Sequence, residues 1–419
     1  AVRIDTLPVA GALLLNGLPV GAGQVISVAD IIAGKLTFTP AHNANGTGYA
    51  SLTFSVSDGA DFDASPNTLT LDVTSVNDAP TFAIGDGIVT TAIGLTSDSG
   101  RSVALQPDGK IVVAGTSDNQ IFVARYNADG SLDTSFGGGD GKVSTSVGAS
   151  DSGQGVVVQP DGSVVVGGYA DIGGTGHFVV ARYTADGSVD ATFGGGTGIV
   201  TTAIGSSHAY GMSVALQSDG RIVVAGSAIV GSDYDTAIVR YNSDGSLDTS
   251  FGGDGIVTTT ITGAGDHGFA ISIQPDGRIL VAGGAFDGSS YNLTVSRYDT
   301  DGSVDASFAG GIVTVPLSAA EDLGNAILVQ PDGKIVVAGY GQNGSGDNEF
   351  AVVRLNTDGT LDTTFGGDGI VTELVGGAGG EAYGVALQPD GKLILAGRTF
   401  NGSNSDVAVM RLNADGTLD

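Results

Sequence analysis

The chain has 419 residues, and 45 Asp and Glu against 16 Lys and Arg leave a net charge of −29. So acidic a surface repels nucleic-acid phosphates and anionic membranes, excludes both as partners, and suits cations better. Cys is absent, so no disulfide or thiol chemistry is available, and no apolar run approaches the about 20 residues that span a bilayer.

In chain order, residues 1–78 read as β. Strand-like runs are Ala12–Leu15, Lys35–Pro40, Tyr49–Val56 and Thr68–Val76, punctuated by 42–46 and by 57–61. The strings Leu7-Pro8, Gly11-Ala12-Leu13-Leu14-Leu15-Asn16-Gly17, Gly34-Lys35-Leu36-Thr37-Phe38-Thr39-Pro40 and Val76-Asn77-Asp78-Ala79-Pro80 resemble the cadherin-like tandem domains of bacterial RTX-type adhesins. The resemblance implies a truncated Ig-like β-sandwich over 1–78, within a fragment of a longer protein. It also implies a calcium-binding linker at Asn77 and Asp78, with Asp58, Asp61 and Asp63 as further oxygen donors. The competing reading is a solvated Asx turn ahead of Pro80.

From residue 81 the chain repeats. Gln-Pro-Asp-Gly starts at Gln106, Gln159, Gln274, Gln330 and Gln388, with Gln-Ser-Asp-Gly at Gln217. A second string, Arg-(Tyr/Leu)-x-x-Asp-Gly-(Ser/Thr)-(Leu/Val)-Asp, starts at Arg125, Arg182, Arg240, Arg297, Arg354 and Arg411. It ends at Asp133, Asp190, Asp248, Asp305, Asp362 and Asp419. Phe136, Phe193, Phe251, Phe308 and Phe365 follow the first five copies. Each unit carries four short runs rich in Val, Ile and Ala, which in the first copy are Ser102–Leu105, Lys110–Ala114, Ile121–Tyr126 and Lys142–Ser146. Six units of about 57 residues with four strands each predict a six-bladed β-propeller over 79–419. The sixth copy stops before its Phe, and Thr81-Phe82 onward matches Thr364-Phe365 onward. The strand 81–91 is therefore expected to join the last blade and close the ring without a free edge.

The run from Arg125 to Gly141, with Gln106 to Gly115, closely resembles the bacterial delta-60 repeat. The resemblance covers 81–419 and implies large secreted or surface proteins without a defined activity. The Arg-to-Asp loop also has the oxygen spacing of a calcium loop at Asn127, Asp129 and Asp133, but Arg stands at the first ligand place in all six copies. A guanidinium there predicts an internal ion pair with the loop carboxylates instead.

Two loop classes vary between copies and share one end of the propeller, where binding is expected. Just before the first strand of each blade stand Asp98, Asp151, Asp266, Asp322 and Glu381, with His208 in the third. These could form a Ca²⁺ site at the channel mouth, or each Asp could cap a tight turn. His208, Tyr210, His267 and Tyr383 complete the candidate binding residues, and Tyr169, Tyr234, Tyr291, Tyr340 and Phe400 could stack on sugars in place of Trp. Catalytic strings are lacking: the four His follow no zinc spacing, and no Gly-x-Ser-x-Gly occurs. The expectation is a non-enzymatic, adhesin-like module, secreted or on the bacterial surface and calcium-supported. Its propeller would dock a surface glycan or protein, with self-association possible. The alternatives are a building block of a surface layer or filament, and a secreted carbohydrate-active enzyme.

Overall fold

The computed structural model describes residues 1–40, 46–73, 87–318, 320–377 and 379–419. The chain divides into two compact units, Ala1–Pro80 and Thr81–Asp419.

The first unit is two small antiparallel sheets. One orders Val25–Ile26, Val2–Thr6, Gly46–Val56 and Asn67–Val73; the other orders Leu18–Pro19, Ala12–Leu15 and Leu36–Thr39. Ile4, Leu13, Val20, Ile26 and Leu52 are buried together between alternating exposed residues. The sequence pattern missed Val2–Thr6 and the short helix Val28–Ile32. Ser27 caps that helix by accepting from the Asp30 N–H at 3.0 Å.

The second unit is a six-bladed β-propeller. Blade 1 consists of Asp98–Leu105, Ile111–Ser117, Gln120–Tyr126 and Lys142–Thr145, antiparallel and in that order outward. Blades 2 to 5 repeat this arrangement, starting at Asp151, Ala209, Asp266 and Asp322. Blade 6 contributes Gly380–Leu387, Leu393–Phe400 and Ser405–Leu412. The Gln-Pro-Asp-Gly string makes the first hairpin: Gln106 N–H donates to the Lys110 carbonyl at 2.8 Å, and Gly109 takes φ +82°, where an L side chain is strained.

The Arg-to-Phe string makes the contacts between blades. Arg125 Nε donates to Asp133 at 2.7 Å, its Nη1 donates to the Ala185 carbonyl of blade 2, and its guanidinium lies 4.6 Å over the Phe136 ring. Arg182, Arg240, Arg297 and Arg354 do the same toward Ser243, Thr300, Thr357 and Ala414 of the following blade. Each Phe is fully buried. The cation of the calcium-like loop is therefore this guanidinium.

The expected closure by 81–91 lies partly outside the described residues, which begin again at residue 87. Residues 87–97 form no strand, and Lys142 of blade 1 donates to the Ala92 carbonyl at 3.1 Å. Among the described residues, Ser405–Leu412 has no outer neighbour and forms a sheet edge. The seam expected from the sequence rests on residues 81–86, which lie outside the described residues.

Candidate functional site

Strand register decides which side chains reach the variable-loop face. The second strand of every blade carries a Gly, and it pairs with the first strand at Gly100, Gly153, Gly211, Gly268, Gly324 and Ala382. The first strand bulges immediately after that pair in all six blades. A Cβ at Gly283 would overlap the His267 carbonyl, and one at Gly397 the Glu381 carbonyl. The bare Gly thus permits the close approach that sets the residue just before the pair. That residue is Ser99, Ser152, Tyr210, His267, Leu323 and Glu381 in blades 1 to 6.

One residue earlier stand Asp98, Asp151, Ala209, Asp266, Asp322 and Gly380. Successive strand residues point to opposite sides, so the two sets do different work. Asp151, Asp266 and Asp322 are buried and close the preceding loop. Asp266 accepts from Ile261 N–H at 2.7 Å, Thr262 N–H at 3.0 Å and Thr262 Oγ1 at 2.7 Å. Asp322 accepts likewise from Leu317 and Ser318, Asp151 from Val147 and Gly148, and Asp98 from Ile93, Gly94 and Ser117.

Of the two readings of these residues, the hydrogen bonds match the turn-capping one. The aspartates cap turns, Glu381 is one register step away from them, and blade 3 offers Ala209 at their position while His208 precedes it. His208 Nδ1 accepts from the Gly176 N–H at 3.2 Å. Among the described residues no group of three or more His, Asp or Glu is placed to hold a metal ion. Asp58 is exposed and makes an Asx turn, accepting from Ala60 N–H at 3.0 Å. Asn77 and Asp78 lie outside the described residues.

The other set meets across blade junctions. Tyr169 of blade 2 packs edge-on against Tyr210 of blade 3, centroids 4.9 Å apart. Tyr210 neighbours Tyr234 at 6.2 Å, Tyr234 neighbours His267 of blade 4 at 5.1 Å, and His267 neighbours Tyr291 at 5.6 Å. Phe269 stacks on the far side of His267 at 5.7 Å. The result is an aromatic arc over three blades, continuous and only half buried. His267 is pinned by Ser227 Oγ at Nδ1, 3.1 Å, and by the Tyr291 hydroxyl at Nε2, 3.3 Å. Burial holds its pKa below the usual range, so the ring is neutral at pH 7.

At the junction of blades 5 and 6 the chemistry changes. Glu381 accepts both Nη2 contacts of Arg398 at 2.8 and 2.9 Å, Asn348 Nδ2 at 2.9 Å, and the Tyr383 hydroxyl. Burial pushes its pKa up, but these donors outweigh it and hold the carboxylate ionised. Tyr383 is pushed up to about 12 by burial and by Glu381. Tyr340, buried between Glu321 and Glu381, is raised by burial and by both carboxylates and keeps its proton. A cavity of about 320 Å³ opens here, lined by Asn348, Glu381, Arg398, Phe400 and Ser405. Sequence reading named Glu381, Tyr383, Tyr210 and His267 but missed Ser227, Phe269 and Asn348 as their partners. Ser227 and Asn348 belong to other strands and only the register brings them in, whereas Phe269 follows His267 on its own strand.

Six antiparallel repeats, five with four strands and the sixth with three among the described residues, with variable loops gathered at one end, define a β-propeller protein. Six segments, 106–136, 159–193, 217–251, 274–308, 330–365 and 388–419, match the family model described as "Domain of unknown function (DUF5122) beta-propeller". The matched segments fit the β-propeller architecture of the repeats. Among curated proteins none matches the chain.

Solved structures similar in fold include a polysaccharide lyase that is an ulvan lyase, with 10% identity over 75% of this chain and 80% of that one, TM-score 0.46. A gluconolactonase from Xanthomonas campestris is similar at 15% identity over 71% and 82%, TM-score 0.39. A glucose dehydrogenase is similar at 13% identity over 74% and 95%, TM-score 0.41. At these identities the likeness concerns the fold alone. The expectation of a non-enzymatic adhesin is corrected: function lives in a site grafted on a fold, so a repeated scaffold without familiar catalytic strings is no ground for excluding catalysis.

Proposed function

We propose that this chain is a carbohydrate-active enzyme acting on a neutral glycan. The observation that carries the reading is the aromatic arc of Tyr169, Tyr210, Tyr234, His267 and Tyr291, on the same face as the cavity that holds Glu381. Aromatic faces stack on the C–H faces of sugar rings, while tyrosine hydroxyls meet sugar hydroxyls. The net charge of −29 supports a neutral substrate over a polyuronate. So does the engagement of Arg398 by Glu381.

In this reading Glu381, ionised and oriented by Arg398, Asn348 and Tyr383, is the base or nucleophile at the reacting centre. The arc positions the chain of sugars leading to it. The two-sheet N-terminal unit supports a stalk of cadherin-like type, and the likeness to secreted repeat proteins supports an extracellular location.

The test is release of reducing ends from a panel of neutral polysaccharides by the purified chain. Glu381→Gln should lower turnover by about a thousandfold while binding persists, as expected when a catalytic group is lost. Tyr210→Ala and Tyr234→Ala should raise KM with little change in kcat. Unchanged turnover in Glu381→Gln, or neither binding nor release by the wild type across the panel, overturns the reading.

A further inference from the structure

Blade 5 carries a second cavity, on the side away from Glu381. Asn348 and Glu349 are successive residues of its third strand, so their side chains leave opposite sides of the sheet. Asn348 donates to Glu381 and so faces blade 6. Glu349 faces blade 4, as does Val353 on the same strand side, which packs with Leu293 and Val295 of blade 4. Gly341 pairs with Glu349 and Thr372 pairs with Ala351, the next residue on that side. With Leu317 and Ser318, on the segment arriving from blade 4, they line a cavity of about 470 Å³. That volume falls within the roughly 300–1,000 Å³ of small-ligand clefts.

The hairpin 343–347 is the wall between this cavity and that of Glu381, and Gly346 lines both. Its own polar groups hold it in shape. Asn343 Oδ1 accepts from the Ser345 and Asp347 N–H groups at 2.9 and 3.0 Å, and Gln342 Nε2 donates to the Gly346 carbonyl at 2.8 Å. On the other side of the junction, Tyr291 shares a strand side with Leu293 and Val295, so the last tyrosine of the arc is turned toward blade 5. Glu349 accepts from Asn343 Nδ2 at 3.0 Å through one oxygen, and its other oxygen has no donor among the described residues.

We propose that this cavity is a sugar subsite between the aromatic arc and the Glu381 cavity, and that the open oxygen of Glu349 selects a unit with an unsubstituted hydroxyl there; the proposal rests on the neutral-glycan reading. A sugar O–H donating to a carboxylate makes a charge-assisted hydrogen bond, stronger than one between neutral groups. Leu317 and the bare Gly341 backbone give the C–H side of the ring an apolar surface. The bonded hairpin and the Asn343 contact fix Glu349 before a ligand arrives, which lowers the ordering cost of binding.

The experiment is titration calorimetry of the full chain with a soluble β-glucan, a galactomannan and a dextran, comparing wild type, Glu349→Gln and Thr372→Trp. Glu349→Gln keeps the Asn343 contact and removes the open acceptor. Thr372 is exposed, so Thr372→Trp fills the mouth of the cavity and leaves Glu349 in place. Each should weaken binding by about tenfold while melting temperatures stay near wild type. Partial O-methylation of the bound polysaccharide should weaken its binding to wild type more than to Glu349→Gln, which no longer uses the blocked hydroxyl. Unchanged affinity in both variants, or equal sensitivity to methylation, overturns the subsite. Because the readout is binding, the two proposals fail separately. Turnover that depends on Glu381, with full affinity in Glu349→Gln, leaves the enzyme and removes the subsite. Binding that Glu349→Gln weakens, without turnover by wild type, supports the subsite and removes the enzyme. A wild type that binds none of these polysaccharides overturns the subsite outright.

Discussion

Glu381 occupies the register position of His267, one residue past the position of the turn-capping Asp266. Their carbonyls both rest on a strand-two Gly, and their side chains both leave the blade toward its neighbour. Two acidic residues at nearly the same sequence place therefore have opposite tasks. Asp266 is consumed by loop N–H groups, whereas Glu381 is held by side-chain donors beside a cavity.

Substituting the two should separate the tasks. Asp266→Ala leaves two buried loop N–H groups without an acceptor and should cost about 1–3 kcal/mol per unmet group. Thermal unfolding would show the loss. Glu381→Gln should leave the melting temperature within a few degrees of wild type and abolish turnover.

The engagement of the capping aspartates by loop N–H groups and the internal Arg–Asp pairs predict a propeller that chelators leave unchanged. EDTA should leave its melting temperature unchanged in differential scanning calorimetry. A clear fall would reveal a metal acting on carboxylates that the described structure assigns to N–H and guanidinium donors.

The paired aspartates set the acid limit. Burial alone would raise Asp133, Asp190, Asp248, Asp305 and Asp362, but hydrogen bonds from the following Ser or Thr and from Arg hold all five below the usual value. The stability they confer is complete above about pH 4, the unfolded-state value, and is lost as pH falls toward the folded values. Unfolding followed against pH should therefore steepen below about pH 4, because equivalent sites in five blades titrate together.

His267 responds in a different window. Its folded pKa is depressed, so the folded state prefers the neutral ring and loses stability as pH falls through the unfolded value near 6.5. Wild type should lose more stability than His267→Gln between about pH 7.5 and pH 5. Equal losses in the two proteins would contradict the burial of a neutral imidazole.

Blade 2 has a repairable gap. Asp133, Asp248, Asp305 and Asp362 receive a second cation from Lys110, Arg221, Arg278 and Lys334, at 3.1, 2.9, 3.1 and 2.9 Å. Ser163 stands at that place in blade 2, leaving Asp190 with Arg182. Ser163→Lys should add about 0.2–1 kcal/mol, small because the equivalent cations are about one-third exposed to solvent. By the same logic Arg182→Met should destabilise more than Arg240→Met, since Asp248 retains Arg221.

Repetition made the fold legible in the sequence. Turn residues, strand composition and the Arg, Asp and Phe places recur six times, and local chemistry of that kind specifies a blade wherever it occurs. Arg at the first place of a calcium-like loop already argued for an internal cation. The positions of Tyr210, His267, Tyr383 and Glu381 on the variable face could be read the same way. Their alignment could not. Aligning the acids by distance from the following strand placed Glu381 with Asp322 and His208 in the same ring. A one-residue difference reverses the side to which a strand residue points, and the bulge beside the strand-two Gly sets that count only when the strands pair. Likewise, the pairing of Tyr234 with His267 and the Ser227 bond to His267 arise between blades, at sequence separations no local pattern encodes. Sequence determined what each blade is; tertiary packing decided which side chains meet between blades.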